Sequence, residues 1–530
     1  MPPPTPADAR AHFARGNALW PAGNHDAAIA AYRDAVACDP SFTEARNNLG
    51  NALCATDRFP EALVQYRAAL AQNPTSAELT YNCGNVLAVT GELAAAEASF
   101  RAALALNPDH AGAHNNLGNT LRAQSRHAEA IVSYQAALAL RPEFFGSLNN
   151  IGSALLALHR PAEAESYFHQ TLDLRPDYAE ACNNLGGALL AQDRPADALT
   201  WFRRAYTLDP GQVQARFGEA FALLVQGDFT AGWRAYEARW LDPAFREGEP
   251  DFATPLWRGD LDPAGRRILL HAEQGLGDSI QFVRYAPLLR ARGAHVTLAV
   301  QQPLVALFAG LADHVQPQTD PLPDHDLHCP LMSLPAAFHT TLADIPADIP
   351  YLRADPRRRA AWRRRLGPRA APRIGIAWSG SRDHPDDPLR SIPAAHLLPP
   401  LLATGVELHA VQNDIRPEDR AAAAAIATHT DRLTDFAATA ALLACLDLVI
   451  TVDTSLAHLA GAMGLPTWIL LQTSNDFRWL RGRSDSPWYP SVRLFRQSRF
   501  GDWSGPIADV VDAIRTQGWA LCSPAGGSPS

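Results

Sequence analysis

Proline returns every 34 residues along the first 210 positions of this 530-residue chain, at Pro40, Pro74, Pro108, Pro142, Pro176 and Pro210. A small residue keeps the same beat at Ala28, Ala62, Ala96, Ala130, Ala164 and Ala198. So do a ring at Tyr32, Tyr66, Phe100, Tyr134, Phe168 and Phe202, and a glycine at Gly16, Gly50, Gly84, Gly118, Gly152 and Gly186. A fixed period of this length means one supersecondary unit repeated, each copy too small to bury its own core and so stacked on its neighbours. Each copy reads helix, turn, helix and a proline stop, because the residue before proline avoids the helical region. The chain must therefore begin as an α-solenoid, which presents a long concave surface to a partner.

The period and layout are those of tetratricopeptide repeats. Six regular repeats lead into a degenerate seventh, which has Ala220 where the glycine stood and carries Trp233, Tyr236 and Trp240. Terminal repeats depart from the pattern because they cap the stack; this one, rich in rings, is expected to dock on the next domain. The solenoid is expected over 7–243 and a short linker over 244–265, with Phe252 and Trp257 as anchors. From 266 the period changes. Apolar runs RRILLHA, HVTLAV, RIGIAW, VELHAVQ, DLVITV and PTWILL alternate with helical segments, the pattern of parallel α/β sheets. Two Rossmann-like units are expected, over 266–355 and 371–517, with a cleft between them and a disordered tail over 518–530.

The composition narrows the function. The net charge is −9 and no lysine occurs, so every strong cation is arginine and any phosphate clamp must use Arg, His or backbone N–H. No basic face is advertised, so nucleic acid is not an expected partner. The seven cysteines form no CxxC pair, the start MPPPTPADAR has no apolar signal core, and no apolar run is long enough to span a bilayer. A cytoplasmic protein without a membrane span is expected.

Four strand-end segments carry polar chemistry, and in open α/β sheets ligands bind beyond the carboxyl ends of the strands. The first is Glu273-Gln274-Gly275-Leu276-Gly277-Asp278, where Gly275 and Gly277 let backbone approach a ligand. There Asp278 either takes a proton from a hydroxyl or simply caps the helix it opens. The second is Asp453-Thr454-Ser455-Leu456-Ala457-His458, either an anion nest at a helix start with His458 one turn on, or a capping box beside a surface histidine. The third holds Ser379, Arg382 and Arg390, read as phosphate clamps or as a solvated loop; Gln412 ends the fourth. No Asp-x-Asp metal motif is expected over 266–515, which fits metal-independent chemistry.

The repeats add an asparagine ladder at Asn48, Asn82, Asn116, Asn150 and Asn184. Asparagine is a poor residue for a helix interior. Its amide can hold an extended polypeptide backbone without reading sequence, or bond neighbouring repeats to each other.

These residues resemble known families. Asn before Leu-Gly in successive repeats resembles the repeat domain of the O-linked N-acetylglucosamine transferases, where such a ladder holds acceptor polypeptide. The second half is similar instead to the heptosyltransferase-like (family 9) GT-B glycosyltransferases, through EQGLGDSIQFVRY at 273–285 and VDTSLAHLAGAMGLPT at 452–467. That resemblance implies Asp278 as the catalytic base, and Asp453, Thr454 and His458 beside a donor diphosphate. Ser455 stands where the family carries glycine, and the family's phosphate lysine has no counterpart. Repeats joined to such a domain resemble bacterial flagellin glycosyltransferases. The implied function is inverting, metal-independent transfer of sugar from a nucleotide-sugar co-substrate, with no other cofactor, to Ser or Thr of a protein held by the repeats, flagellin being one such acceptor. The alternatives are a repeat scaffold with a degenerate GT-B half and a transferase acting on a saccharide or lipid.

Overall fold

The computed structural model describes residues 5–246, 250, 252–382, 384, 386–473 and 476–516. The expected tail at 518–530 lies outside the described residues. The chain divides into two compact units, one of the repeats through Gln192 with Thr207–Asp209, the other of Asp193–Tyr206 and everything from Pro210.

In the first unit helices run in antiparallel pairs, from Pro6–Leu19 with His25–Cys38 to Phe145–Ala157 with Pro161–Leu174. The second helix of the pair ends at Cys38, Gln72, Leu106, Leu140 and Leu174, two residues before each periodic proline. The periodic glycine has a steric cause. A Cβ on Gly50, Gly118 or Gly152 would stand 2.5 Å from the ring of Tyr66, Tyr134 or Phe168 in the partner helix. Glycine lets the ring lie flat on the first helix, and the ring's hydroxyl then reaches that helix: Tyr66 donates to Asn51 Oδ1 at 2.7 Å and Tyr134 to Asn119 Oδ1 at 2.8 Å.

The second unit takes in most of the helix Pro195–Leu208 and then the seventh repeat, helices Val213–Val225 and Phe229–Tyr236. Ten strands follow among the described residues: β1 (Arg267–His271), β2 (His295–Val300), β3 (His314–Pro317), β4 (Leu327–Pro330), β5 (Arg373–Ala377), β6 (Glu407–Ala410), β7 (Ala427–Thr428), β8 (Leu448–Val452), β9 (Thr467–Leu471) and β10 (Val492–Arg496). They form two all-parallel sheets, ordered β3-β2-β1-β4 and β10-β9-β8-β5-β6-β7. The fold is thus a tetratricopeptide solenoid followed by a GT-B arrangement of two α/β sheets. The six apolar runs are β1, β2, β5, β6, β8 and β9; the other four strands are short or stand at sheet edges, where alternation is weak. The helical run after β1 is broken into Leu276–Phe282, a 3₁₀ turn Val283–Tyr285 and Ala286–Ala291, with Pro287 opening the last piece.

The rings of the seventh repeat share one buried core with the first sheet. Phe229 stacks on Trp488 at 5.6 Å, and Trp233 meets Phe282 edge-on at 5.6 Å and Phe477 at 5.3 Å. Such pairs add about 0.5–1.5 kcal/mol each beyond their burial. The stretch before β1 is pinned too. Trp257 N donates to His328 O at 2.8 Å, Phe252 stacks on the His328 ring at 4.0 Å, and Gly259 turns at φ +83° where a Cβ would collide with Ala337 O. The terminal helix Ser504–Thr516 buries Ile507, Val510 and Ile514 in the core of the second sheet.

Candidate active site

The loop after β1 and the loop after β8 come from different sheets and meet. Gly275 caps the helix Leu276–Phe282, and its N–H donates to Asp278 Oδ2 at 2.9 Å. The capping reading of Asp278 therefore holds for one oxygen. The other oxygen receives Arg478 Nη2, from the loop after β9. Gly277 lies between them and the second sheet: a Cβ there would stand 3.0 Å from His458 Cδ2 and 3.6 Å from Ser455 Cα. Two helix starts touch at this position, and a Cβ there would force the packed His458 ring to shift by a few tenths of an ångström.

Thr454 caps the helix Ser455–Ala462, accepting from Leu456 N at 3.3 Å, and its hydroxyl also meets Thr451 Oγ1 at 3.3 Å. His458 is not a surface histidine. It is 4 % exposed, bonds Tyr489 OH through Nδ1 at 3.0 Å and stacks on Trp479 at 5.1 Å. Burial, then the charges of Arg478 and Arg284, push its pKa well below the usual imidazole value, so it stays neutral near pH 7. Asp453 is pushed up to about 6 by burial and by the neighbouring Asp476 carboxylate.

Arg390 Nη1 donates to Asp453 O at 3.2 Å, packs over Gly380 where a Cβ would meet it at 2.7 Å, and leaves its buried Nε without a partner among the described residues. It therefore flanks the same helix start. His384 is close enough to be influenced by both Arg390 and Asp278, and its pKa is lowered, chiefly by burial. Two strand-end residues fall elsewhere. Arg382 is exposed and pairs with Glu418 at 3.3 Å. Gln412 uses its amide within the protein, accepting from Trp378 N at 3.0 Å and donating to Ser379 Oγ at 3.2 Å and Asp414 O at 2.7 Å, so it braces the Ser379 loop.

Arg478 and Arg239 border this site and were passed over by sequence reasoning, which quoted Glu273 only as the opening of the glycine segment and gave it no role. Arg478 Nη1 is clamped by both oxygens of Asp476, at 2.8 and 2.7 Å. Burial works against its charge, but Asp278 and Asp476 hold its pKa above the ordinary arginine value. Its signal was present, since it lies beyond the strand PTWILL and so obeys the same strand-end rule as the four segments singled out. Glu273, 2 % exposed, receives Arg239 of the seventh repeat in a two-pronged pair at 2.8 and 3.0 Å. Gln274 bonds Tyr236 OH at 3.1 Å. The glycine loop is thus braced from behind by the last repeat.

The expectation of no Asp-x-Asp over 266–515 is wrong in one place: Asp324-His325-Asp326 is such a pair, and it stands away from the strand-end loops. Asp326 pairs with Arg267 at 2.8 Å, at the amino end of β1.

In the first unit every ladder asparagine donates to the repeat before it. Asn48 reaches Asn17 at 3.1 Å, Asn82 Asn47 at 3.0 Å, Asn116 Asn85 at 2.8 Å, Asn150 Asn119 at 2.9 Å and Asn184 Asn149 at 3.2 Å. The inter-repeat role is therefore real. All five are half-buried, so the ladder keeps an accessible edge.

Comparison with known proteins agrees with this layout. Tetratricopeptide repeat models match between residues 4 and 213, and the glycosyltransferase family 9 (heptosyltransferase) model matches 413–499. The second match contains Asp453, His458 and Arg478; Asp278 lies outside it. Protein FlbA of Caulobacter vibrioides is 30% identical over 334 residues, covering 57% of this chain and 54% of that protein. The chain thus spans about half the length of that curated relative. Among solved structures, MamA is 27% identical with a TM-score of 0.30, covering 31% of this chain and 96% of its own. A tetratricopeptide repeat protein from Parabacteroides merdae is 15% identical with a TM-score of 0.39, covering 44% and 93%. Scores this low carry no argument about this chain. The chain carries tetratricopeptide repeats and a family 9 glycosyltransferase segment, and no described helix is long and apolar enough to cross a membrane.

Proposed function

We propose that this chain is an inverting, metal-independent glycosyltransferase that moves a sugar from a nucleotide-sugar donor to a Ser or Thr hydroxyl of a protein held by the repeats. The observation that carries this reading is the meeting of Gly277 and Asp278, from one sheet, with His458, Ser455 and Arg478 from the other. A carboxylate thereby stands opposite a helix start flanked by arginine, the pairing that sugar transfer from a diphosphate needs. The family 9 match over 413–499 supports the donor side.

In this mechanism the donor diphosphate lies at the N-terminus of the helix Ser455–Ala462, where backbone N–H groups and Arg390 face its charge. Asp278 accepts the acceptor hydroxyl's proton as that oxygen attacks the anomeric carbon. The bond from that carbon to the diphosphate breaks on the opposite side, so configuration inverts. The leaving diphosphate's charge is stabilised by the helix start and arginine. The half-buried ladder supports an extended polypeptide as acceptor, and the layout's resemblance to flagellin glycosyltransferases makes flagellin the first acceptor to try.

The test is transfer of labelled sugar from UDP-, GDP-, ADP- and dTDP-sugars to purified flagellin and to host-cell protein, in EDTA, comparing wild type with Asp278→Asn. Loss of a general base lowers transfer by about 10²–10⁴-fold. Undiminished transfer by the variant removes Asp278 from the mechanism, and transfer abolished by EDTA removes metal independence.

A further inference from the structure

The pair between Asp278 and Arg478 poses a problem for the proposed chemistry. One oxygen of Asp278 is taken by the Gly275 N–H and the other by the Arg478 guanidinium, so the oxygen that would meet an acceptor hydroxyl is covered. An arginine bound on both sides by carboxylates is likewise occupied. As they stand, neither group is ready to act.

We propose that Arg478 is a latch between donor and base: in the empty site it neutralises Asp278, and an arriving donor diphosphate draws its Nη2 edge away, freeing the Asp278 carboxylate for the acceptor hydroxyl. This rests on the transferase reading above.

Three features make the bond between them the one that opens. Asp278 is held independently, by Gly275 N at 2.9 Å, so it stays in place when the guanidinium leaves. Arg478 is held independently as well, by Asp476 at 2.8 and 2.7 Å and by the Phe477 ring 4.2 Å beneath its guanidinium. Only the contact between the two loops lacks a second anchor. The direction of travel is set by the neighbours. Trp479, next in sequence to Arg478, stacks on His458, and His458 and Asp453 both lie within the field of Arg478. The guanidinium therefore borders the helix start where the diphosphate would lie. Arg390, whose Nε has no partner among the described residues, borders it from the Gly380 loop. In a chain without lysine, two arginine forks are the chemistry suited to a diphosphate, which competes well against a single carboxylate.

The latch makes the donor displace Asp278 before it can engage Arg478, so part of its binding free energy is spent on opening the pair. The two partners should therefore have opposite effects on nucleotide affinity. Titration calorimetry with UDP, GDP, ADP and dTDP identifies the diphosphate that wild type binds. With that probe, Asp278→Asn is expected to bind at least threefold tighter than wild type and Arg478→Gln at least tenfold weaker, with Arg478→Lys recovering most of the loss. In transfer assays Arg478→Gln raises the donor KM by more than it lowers kcat. Asp278→Asn, a neutral isostere, keeps the measurement decisive if the Arg478 variants fail to fold. Equal or weaker nucleotide binding by Asp278→Asn overturns the latch while leaving the transferase reading intact. A wild type that binds none of the four and transfers no sugar overturns both.

Discussion

Arg239, fully buried in the last turn of the seventh repeat, places the Nε–Nη2 edge of its guanidinium on both carboxylate oxygens of Glu273, the residue that opens the glycine loop. The same guanidinium reaches Ser333 Oγ at 2.7 Å and Glu237 at 2.8 Å, and Glu273 also accepts from Met332 N at 3.1 Å. Burial, with the nearby Glu237 carboxylate adding to it, raises the Glu273 pKa, and Arg239 works against that rise. The repeat end is thus part of the support of the candidate site.

Removing one member of that pair leaves a buried charge without its counter-ion. Arg239→Ala is expected to destabilise the second unit by about 3–5 kcal/mol, whereas replacing both residues together, Arg239→Met with Glu273→Leu, costs much less. Urea denaturation followed by tryptophan fluorescence reads the difference. Equal losses for the single and double variants would show that packing, not charge, carries the effect.

Gly277→Ala places a methyl group 3.0 Å from His458 Cδ2. Overpacking of this kind costs about 1–3 kcal/mol. The strain falls where the two loops meet, so sugar transfer is expected to drop at least tenfold while the protein stays folded at 25 °C. Transfer rate and circular dichroism on one preparation check this, and wild-type activity in the variant would argue against a shared site.

Asp453 contributes to pH dependence with a definite sign. Its folded pKa of about 6 exceeds the ordinary 3.8, a difference equivalent to at most about 3 kcal/mol. The folded state binds the proton more tightly, so between roughly pH 4 and 6 stability falls as pH rises, and above pH 6 the loss is complete. Asp453→Asn is therefore expected to be more stable than wild type at pH 7, with the gap closing toward pH 4. Urea midpoints measured for both proteins across that range decide it; a gap that does not change with pH would rule out the raised pKa.

Within the repeats, Asn116→Ala removes the bonds to Asn85 at 2.8 Å and Tyr81 OH at 3.0 Å, and Asn150→Ala the bond to Asn119 at 2.9 Å. Each is expected to cost about 0.5–1.5 kcal/mol. Hydrogen exchange localised to the flanking helices reads the loosening, and unchanged protection would mean the ladder contributes nothing to stacking.

The repeats and the sheets' central strands were legible because each obeys a period: 34 residues for the repeats, and apolar runs between turn residues for buried parallel strands. Strand-end logic also pointed to Asp278, Asp453 and His458. It could not separate them from Gln412 and Arg382, because a polar residue at a strand end looks the same whether it faces a ligand or, like Gln412, braces its own loop. Short strands such as Leu327–Pro330 left no readable alternation.

By itself the amino-acid sequence determined the solenoid, the α/β class of the second half and the lack of any cation but arginine in its clamps. The tertiary structure alone decided that Arg478 meets Asp278 across 200 residues, that Arg239 reaches Glu273, and that His458 stands against Gly277. The reason is physical. Helices and buried strands repeat their environment every few residues, so burial leaves a periodic trace in the sequence. A contact between two loops of different sheets is made once, by side chains whose separation along the chain has no bearing on their separation in space.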